Sequence, residues 1–172
     1  VSYWYGFNLV VPFFLYFTFV MIAVSGIDIP YQIIPDFFSI SLIIVGLCGS
    51  FANPLLGEGI RERIVHSVLG GLTGGGILIV LGFLGAVFFK KEAMGGGDVK
   101  LLAAIGTFVG WHRVLSTLFI ASFFGTIVGI YLIVSKKVER RGYIPFGPFL
   151  ALAGYINLFI ADPLTLLAKL RF

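Results

Sequence analysis

Phe7-Asn8-Leu9-Val10-Val11-Pro12-Phe13-Phe14-Leu15-Tyr16-Phe17-Thr18-Phe19-Val20-Met21-Ile22-Ala23-Val24-Ser25-Gly26-Ile27 is a run of mostly aliphatic and aromatic side chains that meets no charge until Asp28. At about 1.5 Å per residue, a helix of about 20 residues covers a hydrocarbon core of about 30 Å. Similar runs follow at about 36–52, 64–89, 114–134 and 149–161. A further apolar segment, about 99–110, is short for a full crossing and reads as a short or partly re-entrant helix. The expectation is an all-α polytopic membrane protein of about six transmembrane helices, with the fourth segment the short one. The 172 residues are 59% hydrophobic and 12% charged, with a mean hydropathy of +1.06. That leaves no room for a separate soluble domain, so residues 1–172 read as one membrane domain in a lipid bilayer.

The formal charge of +4 does not indicate a nucleic-acid partner, because the 12 basic residues are scattered through short connections. They bear on orientation instead. With six crossings, Lys90, Lys91, Lys100, Lys136, Lys137, Arg140 and Arg141 fall on one side, and Arg61, Arg63, Arg113, Lys169 and Arg171 on the other. The more basic side is expected to face the cytoplasm. Cys48 is the only cysteine, which excludes an internal disulfide and a cysteine-rich zinc cluster. In an apolar helix without a basic neighbour it should be inert. The chain starts at Val1 and not at methionine, and reads as processed or excised. No basic segment precedes the first apolar run, as a cleavable signal peptide would require.

Glycine is placed with a pattern. Gly70 and Gly74, Gly71 and Gly75, and Gly125 and Gly129 each stand four residues apart, which strips side chains from one helix face and invites close packing. Gly95-Gly96-Gly97 does something different: it sets bare backbone before Asp98, ahead of the apolar run that follows. It lacks the spacing and the Lys-Ser/Thr ending of a phosphate-binding loop.

Two complete crossings separate Asp28 from Asp98, so both carboxylates are expected at the same membrane face. Two like charges a few ångströms apart do not both ionise readily, and such a pair can act as acid and base together. A peptide bond inside a helix is shielded, so an enzyme cutting near a membrane must hold its substrate extended, and Gly95, Gly96 and Gly97 could let a strand lie near Asp98. Simpler roles stand beside this one. Asp98 and Lys100 could be an interfacial ion pair. Asp36, after Pro35, rivals Asp28 as the first carboxylate but fits better as a group satisfying amides at a helix N-terminus. The segment 28–35, with Pro30 and Pro35, reads as a short surface turn. Asp162 precedes Pro163 as a turn residue, and Glu92 reads as a solvated charge. His66 and His112 show no ligand spacing and read as satisfied interfacial histidines. A small proton- or cation-coupled transporter is the alternative function, although the spans lack polar groups through the membrane's depth.

Three blocks resemble one known family, the type IV prepilin peptidases of the GxGD class of intramembrane aspartic proteases. They are Ile27-Asp28 with Ile34-Pro35-Asp36, then Glu92-Ala93-Met94-Gly95-Gly96-Gly97-Asp98-Val99-Lys100-Leu101-Leu102, then Ile144-Pro145-Phe146-Gly147-Pro148-Phe149. The resemblance implies that Asp28 and Asp98 are catalytic, that Gly95, Gly96 and Gly97 shape the substrate loop, and that Lys100 orients that loop or biases the proton. It implies no metal and no cofactor for proteolysis. The implied substrates are type IV prepilins, pseudopilins or preflagellins, cut at the cytoplasmic face of the inner (cytoplasmic) membrane. Bacterial members usually carry a further N-terminal hydrophobic segment and a cytoplasmic region with paired Cys-x-x-Cys motifs. Those cysteines are missing here, as in a chain without that region or in a shorter branch like the archaeal preflagellin peptidases. Methyl transfer is therefore not implied, and no residue is assigned to S-adenosylmethionine.

Overall fold

The structure, a computed structural model, describes residues 2–89, 95–135 and 144–159, with side chains from Leu9 onward and excluding that of Phe89. Glu92, Asp162 and most of the basic residues counted for orientation, Lys90, Lys91, Lys136, Lys137, Arg140, Arg141, Lys169 and Arg171, lie outside the described residues. Among the described residues there are six α-helices and no strand: α1 Ser2–Tyr31, α2 Asp36–Gly49, α3 Ile60–Phe89, α4 Gly96–Val109, α5 Trp111–Val134 and α6 Gly147–Phe159. Single turns of 3-10 helix, Ser50–Ala52 and Pro54–Leu56, link α2 to α3.

Among the described residues, three helices are long and apolar enough to cross a membrane, over Leu9–Tyr31, Ile60–Phe88 and Trp111–Val134. Helices α2 and α4 have 14 residues and α6 has 13. At about 1.5 Å per residue these are about 20 Å long, shorter than a hydrocarbon core. The short fourth segment expected from the sequence is α4, and it is not re-entrant. Its N-terminus lies at the Asp28 end of the bundle. Its C-terminus meets Asn53 and the Leu56–His66 neighbourhood, in the α2–α3 connection at the opposite end.

Helix α4 can be short because it touches little lipid. Leu101, Leu102, Ala104, Ile105, Phe108 and Val109 are all buried, with Phe17 of α1 against Phe108 at a ring separation of 5.0 Å. The glycine face of α3 makes this possible. A methyl group on Gly70 would strike the carbonyl oxygen of Gly106, and one on Gly106 would strike that of Gly70. Gly74 meets the backbone of Leu102 in the same way. Two helices without side chains at the crossing approach to backbone contact and gain dispersion energy that lipid cannot replace. The second glycine pair differs: Gly125 and Gly129 on α5 face the side chains of Phe146, Phe149 and Ile144, with no backbone contact of this kind.

A helix that ends inside protein leaves its last carbonyls without partners. Side chains supply them. Ser67 Oγ donates to the Thr107 carbonyl at 2.7 Å, and Asn53 Nδ2 donates to that of Phe108 at 2.8 Å. At the same end, Ser116 Oγ donates to Asn157 Oδ1 at 2.8 Å and Arg113 Nη1 to the Asn157 carbonyl at 3.0 Å, tying α5 to α6.

The boundary of α1 differs from the sequence reading. The helix does not end at Ile27 but runs on to Tyr31, with Pro30 inside it, so Asp28 lies in its last turn and not in a surface turn. Pro30 removes only the N–H that would reach Gly26, and the Gln32 amide still bonds the Asp28 carbonyl at 2.9 Å. Gln32 then takes a left-handed φ of 54° and ends the helix.

The α3–α4 contact makes opposite predictions for two neighbouring glycines. Gly70→Ala should lower stability by about 1–3 kcal/mol through overpacking. Gly76→Ala, on the same helix with nothing within 4 Å, should be neutral or slightly stabilising. Thermal unfolding of the two variants in one detergent checks the contrast, and equal behaviour would contradict the backbone contact.

Candidate active site

The last turn of α1, the linker 32–35 and the first turns of α4 and α6 converge at one end of the bundle. Asp28 is 3% exposed and Asp98 4% exposed, so both carboxylates are buried. Asp28 Oδ2 accepts a hydrogen bond from the Gly147 backbone N–H at 3.0 Å. Asp98 is the third residue of α4, and its amide donates to the Gly95 carbonyl at 3.1 Å. A carboxylate in a first helical turn is favoured by the partial positive charge of the unsatisfied amides there.

Ile34 connects the two. It is 8% exposed and belongs to the linker that leaves α1. A methyl group at Gly97 would stand 2.9 Å from Ile34 Cβ, and one at Gly147 would stand 3.1 Å from Ile34 Cδ1 and 2.7 Å from Asp28 Oδ2. Ile34 therefore packs against the residue before Asp98 and against the residue that binds Asp28. The convergence of Asp28 and Asp98 on one end, expected from two intervening crossings, is what the fold produces.

The triglycine is not a loop at its last two positions. Gly96 and Gly97 form the start of α4, preceded by Gly95 in an extended conformation with φ −71° and ψ 137°. The expectation that all three present bare backbone to a strand needs correction. Gly97 is covered by Ile34, whereas Gly96 is exposed with nothing within 4 Å of a would-be side chain.

Lys100 departs from the simple pairing with Asp98. Its Nζ lies 2.7 Å from Asp36 Oδ1, bridging the second turn of α4 to the first residue of α2, with side-chain exposures of 45% and 59%. Asp36 is therefore a surface group. It stands in the first turn of α2, but Pro35 occupies the N-cap with no side-chain hydrogen bond, so the expected capping role goes instead to the ion pair.

His66 and His112 lie far from this site. His66 Nδ1 is 2.6 Å from the Leu56 carbonyl, and the two imidazoles meet edge to face at 5.6 Å with Trp111 stacked on His112. The described residues contain no group of three or more His, Cys, Asp or Glu able to hold a metal ion. Cys48 is exposed on α2.

Sequence reasoning quoted Gly147 within Ile144–Phe149 but assigned it no role. The available signal was a glycine directly before Pro148, where a helix can begin and where a side chain is dispensable.

A family model described as "Type IV leader peptidase family" matches residues 2–130. The chain belongs to this family. It is 33% identical over 161 residues to a protein of Xanthomonas campestris pv. campestris named "Prepilin leader peptidase/N-methyltransferase", covering 94% of this chain and 52% of that protein. Proteins of the same name from Aeromonas hydrophila and Pseudomonas aeruginosa are 34% and 33% identical, over 88% and 96% of this chain and 50% and 55% of their own. The leader peptidase-family chain thus spans about half the length of these relatives. No solved structure matches it.

An exposed ion pair contributes about 0–1 kcal/mol. Asp36→Asn, Lys100→Met and the double variant should each retain the fold and lose less than about 1 kcal/mol, with the double no worse than the sum. Unfolding measured at low and high salt checks this, and an unfolded Asp36→Asn protein would give the pair a structural role.

Proposed function

We propose that this chain is an intramembrane aspartic endopeptidase that removes the leader peptides of type IV prepilins or pseudopilins at the cytoplasmic face of the inner membrane. Asp28 and Asp98 are its catalytic pair. The observation that carries the reading is the burial of both carboxylates at one end of the bundle, around the single side chain of Ile34. Relatives named as prepilin leader peptidases support the substrate class.

In this scheme the pair carries one proton between its two carboxyl groups. The ionised carboxylate takes a proton from water as the water oxygen attacks the scissile carbonyl carbon. The protonated partner gives its proton to the carbonyl oxygen, which yields a neutral tetrahedral intermediate. When the C–N bond breaks, the leaving nitrogen takes up the proton removed from water, and an intermediate hydroxyl returns its proton to the other carboxylate. One proton again resides on the pair. Every step runs on carboxylates and water, with no metal or cofactor, and methyl transfer is assigned to no residue.

Asp28 Oδ2 is engaged by the Gly147 N–H, which leaves Oδ1 as the oxygen to act on the attacking water once substrate has entered. Gly96 offers the open backbone beside Asp98 against which an extended substrate can lie. Substrate reaches the pair by displacing Ile34, the apolar side chain that packs there at rest. Excluding water until then protects the carboxylates' proton.

Asp28→Asn and Asp98→Asn should each reduce cleavage of a prepilin leader by at least about 10²-fold, the scale of lost general acid–base catalysis. Circular dichroism and gel filtration in detergent should show unchanged folding. Asp36→Asn should cleave within a few-fold of the native chain. Normal cleavage by either catalytic variant sinks the assignment, and ion flux in proteoliposomes without cleavage would turn the reading to transport.

A further inference from the structure

We propose that Gly147 is a positioning residue for Asp28: its backbone N–H and its missing side chain together set the direction in which the Asp28 carboxylate faces. The proposal rests on the two-aspartate reading above.

The start of α6 has a closed account of its amide donors. Pro148 has no N–H to give. The amides of Phe149 and Leu150 both donate to the Phe146 carbonyl, each at 3.1 Å. Gly147 N–H therefore goes to a partner outside its own helix, Asp28 Oδ2 at 3.0 Å, 119 residues away in sequence. Helix α6 contributes one donor to α1, and Asp28 receives it. A hydrogen bond accepted by a buried carboxyl oxygen is strengthened by its surroundings and fixes the direction of that oxygen.

The side chain of residue 147 matters for a second reason. A methyl group there would lie 2.7 Å from Asp28 Oδ2, inside contact distance, because the carboxylate oxygen sits directly over the Gly147 backbone. Alanine would keep the N–H but push the carboxylate off it. The same methyl would lie 3.1 Å from Ile34 Cδ1, the end of a side chain that can shift. The two contacts separate two explanations of any defect. If crowding of Ile34 is responsible, removing Cδ1 relieves it. If displacement of Asp28 is responsible, trimming Ile34 changes nothing.

The test uses the full chain in detergent with a prepilin leader substrate. Gly147→Ala should lower kcat by about tenfold or more, the scale of a lost buried hydrogen bond, while KM changes less than about twofold. On an Ile34→Val background, Gly147→Ala should slow cleavage by the same factor as in the native chain. Native kcat in Gly147→Ala, or loss of its effect relative to Ile34→Val alone, overturns the proposal. Amide hydrogen exchange supplies an arm that needs no activity. In Asp28→Ala the Gly147 N–H should exchange at least about tenfold faster, whereas Phe149 and Leu150 stay protected. Unchanged protection at Gly147 also overturns it. If the native chain cleaves no leader, the two-aspartate reading falls, and exchange still decides whether Gly147 holds Asp28.

Discussion

Gly70 and Gly106 meet backbone to backbone, each filling the space where the other's side chain would be. In lipid, two apolar helices gain little hydrophobic free energy by associating, so packing and hydrogen bonding must hold them. This contact lets α4 sink into the middle of the bundle, where a 14-residue helix needs no full crossing of its own. Burial then creates an obligation at its C-terminus. Ser67 and Asn53 meet it by donating to the carbonyls of Thr107 and Phe108. A polar group left unsatisfied there would cost several kcal/mol.

The same burial shapes the opposite end. Asp98 is drawn inside because it begins the buried helix, and Asp28 is drawn inside because α1 continues past Pro30 to Tyr31. Ile34, on the linker between α1 and α2, packs against Gly97 and over Gly147, so three separate parts of the chain are held in register by one apolar side chain. Lys100 and Asp36 bridge α4 to α2 at the exposed rim of this region.

Membership of the type IV leader peptidase family accords with this arrangement, and the chain corresponds to about half of its relatives' length. Asp98 lies at the start of α4, the helix that the α3–α4 contact holds inside the bundle. Both carboxylates are buried at one end of the bundle, among mostly apolar side chains.

Much was legible from the residues alone. Uncharged runs of about 20 residues make membrane helices, because only an internally hydrogen-bonded segment survives in hydrocarbon. Four-residue glycine spacing marked the close-packed face of α3, and the parity of crossings put Asp28 and Asp98 at one end. Local pattern could not reveal which polar side chains close α4's C-terminus, since Ser67 and Asn53 are distant from it in sequence. Nor could it show that Lys100 reaches Asp36, that Ile34 covers Gly97, or that Gly147 gives its amide to Asp28. Periodicity records which face of a helix avoids lipid or tolerates close approach. Partners in a buried polar contact are chosen by three-dimensional packing, and only the tertiary structure brings Gly147 to within 3.0 Å of an aspartate 119 residues away.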